Sequence, residues 1–260
     1  MNIIVCIKQV PDTTEVKIDP VSKNLVREGV KSIINPFDVY AIEEGVRLKE
    51  KFGGKVIVLT MGPPQADAAL REAISLGCDE AVLVSDRAFA GSDTLATSYT
   101  LSKAIEKIKD YDLVICGKQA VDGDTAQVGP GVAATLDIPQ ITYVRKIEEI
   151  KDRTITAERA TEEGYEVVQA TLPCLLTVVK EINVPRLPSL KGKMKAKSAT
   201  VQVWKAADIG AEEQRIGLKG SPTWVHTIFT PPPRPKGKVF EGEAQTSVNQ
   251  LVDSIKGLLH

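Results

Sequence analysis

Residues 117–130, GKQAVDGDTAQVGP, carry the densest set of ligand-binding groups in the chain. Gly117, Gly123 and Gly129 punctuate the stretch, and backbone without a side chain can turn tightly and approach a ligand closely. Asp122, Asp124, Thr125 and Gln127 add carboxylate, hydroxyl and amide groups able to read a ribose or a polar ring edge. The stretch follows the apolar run 111–116 (YDLVIC), read as a buried strand, and leads into 132–136, read as helix. Strand, glycine-containing loop and helix start together suit a phosphate, because the first N–H groups of a helix have no partner within it. The same residues also fit an ordinary strand-to-helix turn with Asp124 or Thr125 as the helix cap.

No catalytic constellation accompanies this loop. G-x-G-x-x-G does not follow the first strand, and G-x-x-x-x-G-K-[ST] is absent, which argues against the usual dinucleotide fingerprint and an ordinary P-loop ATPase. His226 and His260 both fall in an irregular tail, so no Ser–His–Asp or Cys–His arrangement can be assembled. The paired carboxylates Glu43-Glu44 and Glu148-Glu149 fall on faces predicted to be solvated. Cys6, Cys78, Cys116 and Cys174 form no CxxC pair and read as small buried hydrophobes in a reducing cytoplasm, with no metal site expected. A nucleotide-shaped site without catalytic residues fits a protein whose cofactor carries the chemistry.

The elements that position the loop alternate strand and helix. Residues 2–7 read as a first buried strand, broken at Pro11-Asp12, with a small hairpin over 16–26 turning at Asp19-Pro20. Asn35-Pro36 predicts a helix start, with Asn35 as the cap. The helix runs to about residue 51, with Val39, Ile42 and Val46 inward, Glu43, Glu44, Lys49 and Glu50 outward, and Gly53-Gly54 as its stop. A second strand covers 55–61. A second helix follows the turn 62–64, with Ala66, Ala69, Leu70, Ala73 and Ile74 on one face and Gly77 ending it. Residues 80–85 form a third strand, 86–91 a loop, and a third helix starts at Ser92 or Asp93 with Leu101, Ile105 and Ile108 aligned. Continuously apolar strands alternating with amphipathic helices predict an α/β fold with a parallel sheet covered on both faces. Four loops, at 6–10, 61–65, 86–97 and 117–129, then converge beyond the carboxyl ends of its strands, where such sheets bind ligands.

After Pro139 the pattern changes. Residues 140–147, 154–159, 165–170 and 175–179 read as antiparallel or mixed strands extending the same sheet. From Pro185 the periodicity fades: PRLPSLKGKMKAKS is basic and loop-like, PPPRP at 231–235 is extended, and only 247–259 reads as helix, with Leu251, Ile255 and Leu258 in line. We therefore divide the chain into a nucleotide-binding α/β domain, 1–184, and a docking loop with a C-terminal arm, 185–260, lying on another subunit. Of 260 residues, 43% are hydrophobic, and 33 Lys and Arg against 34 Asp and Glu leave a net charge of −1. That balance argues against a nucleic-acid binder, and the basic run 191–197 has no interleaved aromatics to stack bases. The sequence contains no signal-peptide-like start and no run of membrane-spanning length, so a soluble cytoplasmic protein without membrane insertion is expected.

Several long motifs in fixed order give the chain a family likeness. They are VCIKQVPDT at 5–13, INPFD at 34–38, TMGPPQA at 60–66, GKQAVDGDTAQVGP at 117–130, and LPCLLTV followed by PRLPSLKGKMKAK. Over nearly its full length the chain resembles the β subunit of electron transfer flavoproteins. That resemblance implies a Rossmann-like, adenine nucleotide α-hydrolase-like sheet and a partnership with an FAD-carrying α subunit. The β subunit's own site would hold FAD or, alternatively, a structural AMP. The loop 122–129 reads DGDTAQVG where AMP-type members tend to read DDDCNQTG, and residues 85–97 (SDRAFAGSDTLAT) look like the loop of electron-bifurcating members. By the resemblance, Cys6, Asn35 and Met61 would border the adenine–ribose end. Asp122, Gly123, Asp124, Thr125, Ala126, Gln127, Val128 and Gly129 would hold ribose and phosphates, and Asp38, Gly62, Gly117 and Gln119 would also belong to the cofactor site. Arg87, Phe89, Ala90, Asp93, Thr94 and Thr97 would reach toward the flavin ring. The implied function is hydride transfer from NADH to this FAD. One electron would then pass to the α-subunit FAD and an acyl-CoA dehydrogenase-like or lactate dehydrogenase-like flavoenzyme, the other to ferredoxin or flavodoxin. With AMP in the site the subunit would be non-bifurcating. Leu190 matches the family's exposed leucine that anchors the dehydrogenase. An independent adenine-nucleotide hydrolase would need a phosphate-handling catalytic group that the sequence does not offer.

Overall fold

The computed structural model describes residues 1–12, 32–227 and 236–258. The hairpin expected over 16–26, the extended 231–235 segment and His260 lie outside these residues.

Apolar, β-branched stretches form the inner strands β1 (Asn2–Cys6), β4 (Lys55–Met61), β5 (Glu80–Val84) and β6 (Leu113–Gly117). A short antiparallel pair, β2 (Gln9–Pro11) and β3 (Ser32–Ile34), stands apart. The remaining strands are β7 (Gln140–Lys151), β8 (Thr154–Ala160), β9 (Tyr165–Thr171), β10 (Cys174–Val178) and β11 (Val201–Trp204). Together they make a nine-stranded sheet in the order β11-β5-β4-β1-β6-β10-β7-β8-β9. All neighbours from β11 to β7 run parallel, and β8 and β9 extend the far edge antiparallel. The late strands are therefore mixed, and β10 does not extend the edge but inserts beside β6. Its CLLTV sequence is buried at every position, which requires a central strand.

Both faces are covered, and the period-two alternation within β1 serves both. Ile3 and Val5 join one core beneath α1 (Pro36–Phe52) and α2 (Asp67–Leu76), while Ile4 and Cys6 join the other beneath α3 (Thr94–Ile108) and α4 (Val128–Leu136). The predicted inward residues of α2 are all buried, and Gly53 and Gly77 end their helices at φ 72° and 128°. Because α1 leaves β1 toward one face and α4 leaves β6 toward the other, the loops after these adjacent strands diverge. They leave a crevice between them at the carboxyl ends, the topological switch point.

Two expectations are corrected. Glu43 and Glu44 are buried rather than solvated, because residues 183–186 cross this face of α1 and supply their partners. PRLPSLKGKMKAKS is not all loop. Ser189 accepts a hydrogen bond from the Gly192 N–H and starts a helix, α5 (Leu190–Ser198), which lies on α2. Close approach explains why this lysine-rich, weakly amphipathic segment packs there: a Cβ on Gly192 would stand 2.2 Å from the Ser75 carbonyl oxygen. Arg71 also donates to the carbonyls of Ala196 and Ala199. Beyond α5, β11 closes the sheet edge, and Ile209 and Ile216 are buried in the second core. Trp224, Val225 and Val239 are exposed, and no side chain of α6 (Ala244–Ile255) is buried.

Candidate functional site

The crevice is defined by Cys6 and Cys116, paired in register at the ends of β1 and β6 and both nearly enclosed. Around it the four loops converge and are tied to one another. Lys8, just after β1, donates to both oxygens of Asp122 at 2.6 and 2.8 Å. Gln9 reaches the Gln65 carbonyl at 3.3 Å, and Thr94 Oγ1 donates to Gln127 Oε1 at 2.9 Å. Gln119 and Asp124 bond each other within the fourth loop.

Asn35 is the hub beneath that loop. It occupies the N-cap position of α1, but its side chain does not cap the helix. Instead Nδ2 donates to the Gln119 carbonyl at 2.9 Å, Oδ1 accepts from the Val121 N–H at 3.0 Å, and the residue is fully enclosed. One amide thus satisfies an acceptor and a donor of irregular backbone that would otherwise be left unpaired. Asp38, one turn into α1, accepts from the Lys8 N–H at 2.7 Å. Burial pushes its carboxyl up to about 7, against the opposing effect of its hydrogen bonds from Asn35, Lys8 and Gly117. Gly117 is required by contact here: a Cβ would lie 2.3 Å from Asp38 Oδ1. Gly129 is likewise constrained, with Thr177 Cγ2 at 2.6 Å from such a Cβ. Gly123 differs, since nothing lies within 4 Å of its Cβ position and it faces open space.

The loop therefore serves two purposes. Gly117 and Gly129 fit it against the sheet, while 121–125 is exposed. Asp124 and Ala126 hold φ values of 53° and 54°, in the left-handed region that non-glycine residues occupy only when their surroundings impose it. Neither Asp124 nor Thr125 caps α4. Its cap position is Gln127, whose side chain makes no capping bond, so the helix N-terminus has no side-chain acceptor. Uncapped N–H groups, exposed Thr125 and open space beside Gly123 form a suitable cradle for a sugar phosphate.

The third loop contributes unevenly. Arg87 and Ala90 are exposed, and the Arg87 guanidinium has no partner among the described residues. Phe89 is buried in the second core, so its ring supports the loop from behind. The Asp93 carboxylate is fully engaged, capping α3 through the Leu95 and Ala96 N–H groups and accepting from Thr223 N and Oγ1. Desolvation is the largest single effect and pushes its carboxyl up, but the four bonds together outweigh it and hold the carboxyl below the usual range. Thr94, Thr97, Met61 and Gly62 are half-buried at the rim. Leu190 stands elsewhere, 79% exposed at the first turn of α5. Sequence reasoning missed Lys8 as a bridge to Asp122. It also missed Arg186 and Asn183, whose partners come from α1 more than 130 residues away in sequence. No local signal marks such pairs.

With this geometry established, comparison with known proteins decides the family. The profile of the Electron transfer flavoprotein domain matches residues 22–209. The chain belongs to the electron transfer flavoprotein family. It is 56% identical over 256 residues to the electron transfer flavoprotein subunit beta of Thermoanaerobacterium thermosaccharolyticum, covering 98% of each chain. It is 50% identical to the caffeyl-CoA reductase–Etf complex subunit CarD of Acetobacterium woodii, covering 98% of this chain and 96% of the relative. It is also 46% identical to protein FixA of Bradyrhizobium diazoefficiens, covering 98% and 91%. These matches support its reading as a β subunit that pairs with an α subunit in electron transport. No helix among the described residues is long and apolar enough to cross a membrane.

Proposed function

We propose that this chain is a β subunit of the electron-bifurcating kind, holding FAD in the crevice between its four loops. It would work in the cytoplasm with an α subunit, NADH, an acyl-CoA dehydrogenase- or lactate dehydrogenase-type flavoenzyme, and ferredoxin or flavodoxin. The observation that carries this reading is the open space at Gly123 beside the uncapped start of α4, with Arg87 exposed on the third loop. The residues fit the group: N–H groups of 128–129 and Thr125 for phosphate and ribose, and a cation for the electron-rich end of a flavin. Bound FAD would supply the redox chemistry, since a flavin takes two electrons together and can release them singly. The chain's own part is to fix the nucleotide by a loop anchored on Asn35, Lys8 and Asp38, and to exclude water from its inner edge by Cys6 and Cys116.

Structural AMP is the second reading, favoured by the Thr94–Gln127 bond, which spans the gap between the starts of α3 and α4. The C-terminal segment 236–258, whose helix exposes Val248, Leu251, Val252 and Ile255 along one face, suits an arm on the α subunit. Leu190, beside Lys191 and Lys193, suits docking of the flavoenzyme by an apolar anchor in a charged rim. CarD's membership of a caffeyl-CoA reductase complex supports a CoA-ester enzyme as that partner. Anaerobic titration of the purified αβ complex with NADH tests the proposal. Bleaching of the flavin absorbance by stoichiometric NADH is expected, and an unchanged spectrum would overturn it.

A further inference from the structure

Residues 183–189 contain Pro185 and Pro188 and adopt no regular secondary structure, yet their side chains sort with a period of three. Val184, Leu187 and Leu190 point outward, 88%, 89% and 79% exposed, while Asn183, Arg186 and Pro188 are half-buried between them. No regular backbone pairing imposes this order on 183–188, so it is set there by side chains from α1, while Leu190 is placed by the start of α5. Arg186 donates through Nε and Nη2 to the two oxygens of Glu43 at 2.8 and 3.1 Å, and through Nη1 and Nη2 to Glu50 at 2.6 and 3.0 Å. The backbone N–H of Arg186 also donates to Glu43, at 3.1 Å. Asn183 Nδ2 bonds the Tyr40 carbonyl and Glu44, both at 3.0 Å. A planar guanidinium held by two carboxylates two helical turns apart has little freedom to rotate. Glu43 is itself buried, so the pair is fixed by surrounding protein as well as by charge.

We propose that Glu43, Glu50 and Arg186 form a positioning clamp. It holds Val184, Leu187 and Leu190 outward as one preformed apolar ridge on which the partner flavoenzyme docks. The inference rests on the docking role proposed for Leu190 and extends it: the ridge has three members, and its orientation is set from α1. A preformed ridge binds without the ordering cost that a free loop of rotamer-rich side chains would incur. The clamp acts through the ridge, so its loss weakens docking and spares electron transfer once docked.

The test uses the αβ complex with a purified short-chain acyl-CoA dehydrogenase as probe, its concentration varied, and a small redox dye as an acceptor that needs no docking. Arg186→Gln is expected to raise KM for the dehydrogenase roughly tenfold, with kcat and dye reduction unchanged. Arg186→Lys, which keeps the charge but loses the fork, is expected not to restore it. Glu50→Gln, at the exposed end of the clamp, is expected to raise KM a few-fold, and it keeps the inference testable if the Arg186 variants fail to fold. Leu190→Ala serves as the docking control. If Leu190→Ala raises KM and neither Arg186→Gln nor Glu50→Gln does, the clamp falls and the docking role stands. If all three leave KM unchanged, the docking role fails and the clamp with it. A parallel loss of dye reduction in the clamp variants would show general damage and also overturn the inference.

Discussion

Replacing Asn35 with Ala is the sharpest perturbation of the 117–129 loop, because among the described residues this side chain alone pairs the Gln119 carbonyl and the Val121 N–H. Asn35 itself is fully enclosed, and the two bonds it makes to the loop are partly buried. Each backbone group left unpaired costs about 1–3 kcal/mol, which gives roughly 2–6 kcal/mol for the pair. The folded chain has two ways to absorb this. It can stay ordered and lose that stability, or it can release residues 119–127 and let solvent satisfy them. The left-handed conformations of Asp124 and Ala126 favour release, since they persist only while the loop is held. Nucleotide binding must then order the loop again, so affinity falls by about the smaller of the two amounts, a factor of at least ten. The assay is calorimetric titration of the nucleotide-stripped αβ complex with FAD and with AMP, alongside denaturation of the apo complex. Asn35→Ala with unchanged affinity and unchanged stability would refute the role of this amide as the loop's anchor.

Further outcomes follow from the same geometry. Gly129→Ala places a methyl 2.6 Å from Thr177 Cγ2 and is expected to destabilise the chain by about 1–3 kcal/mol in urea denaturation, with Thr177→Ser relieving part of the loss. Asp38 titrates at about 7 when folded against 3.8 unfolded, so between those values the unfolded chain binds fewer protons and stability falls as pH rises. Denaturation at pH 5 and pH 7.5 should show this extra loss, on the order of 2–4 kcal/mol, and Asp38→Asn should abolish it; equal slopes for both proteins would contradict the assignment. Lys8→Met removes an exposed ion pair with Asp122, so stability should change by under about 1 kcal/mol while the salt dependence of nucleotide binding shifts.

How much of this was legible in the sequence depends on range. The strand–helix alternation and the stops at Gly53 and Gly77 were readable because each rests on local pattern. The strand-to-helix connection over 117–129 was readable because its glycines and polar residues are contiguous. What those glycines do was only partly readable: Gly117 and Gly129 answer to Asp38 and Thr177, residues brought close by the sheet, and only Gly123 faces open space. Asn35 was placed correctly as a helix start, but its amide serves a loop 84 residues away, a contact no periodicity encodes. Glu43 and Glu44 were misread because charge normally marks a solvated face, and their partners Arg186 and Asn183 lie more than 130 residues away in sequence. The helix α5 was missed because lysines on its open side mask the few small residues that fit it to α2. Leu190 was singled out from motif alone, and its 79% exposure at the first turn of α5 needed the fold.

The central claim is that a flavin sits in this chain's own crevice. It is tested most directly by denaturing the purified αβ complex and separating the released nucleotides by chromatography. The account predicts two FAD per heterodimer and no AMP; one FAD with one AMP would contradict it, leaving this chain as a structural and docking subunit.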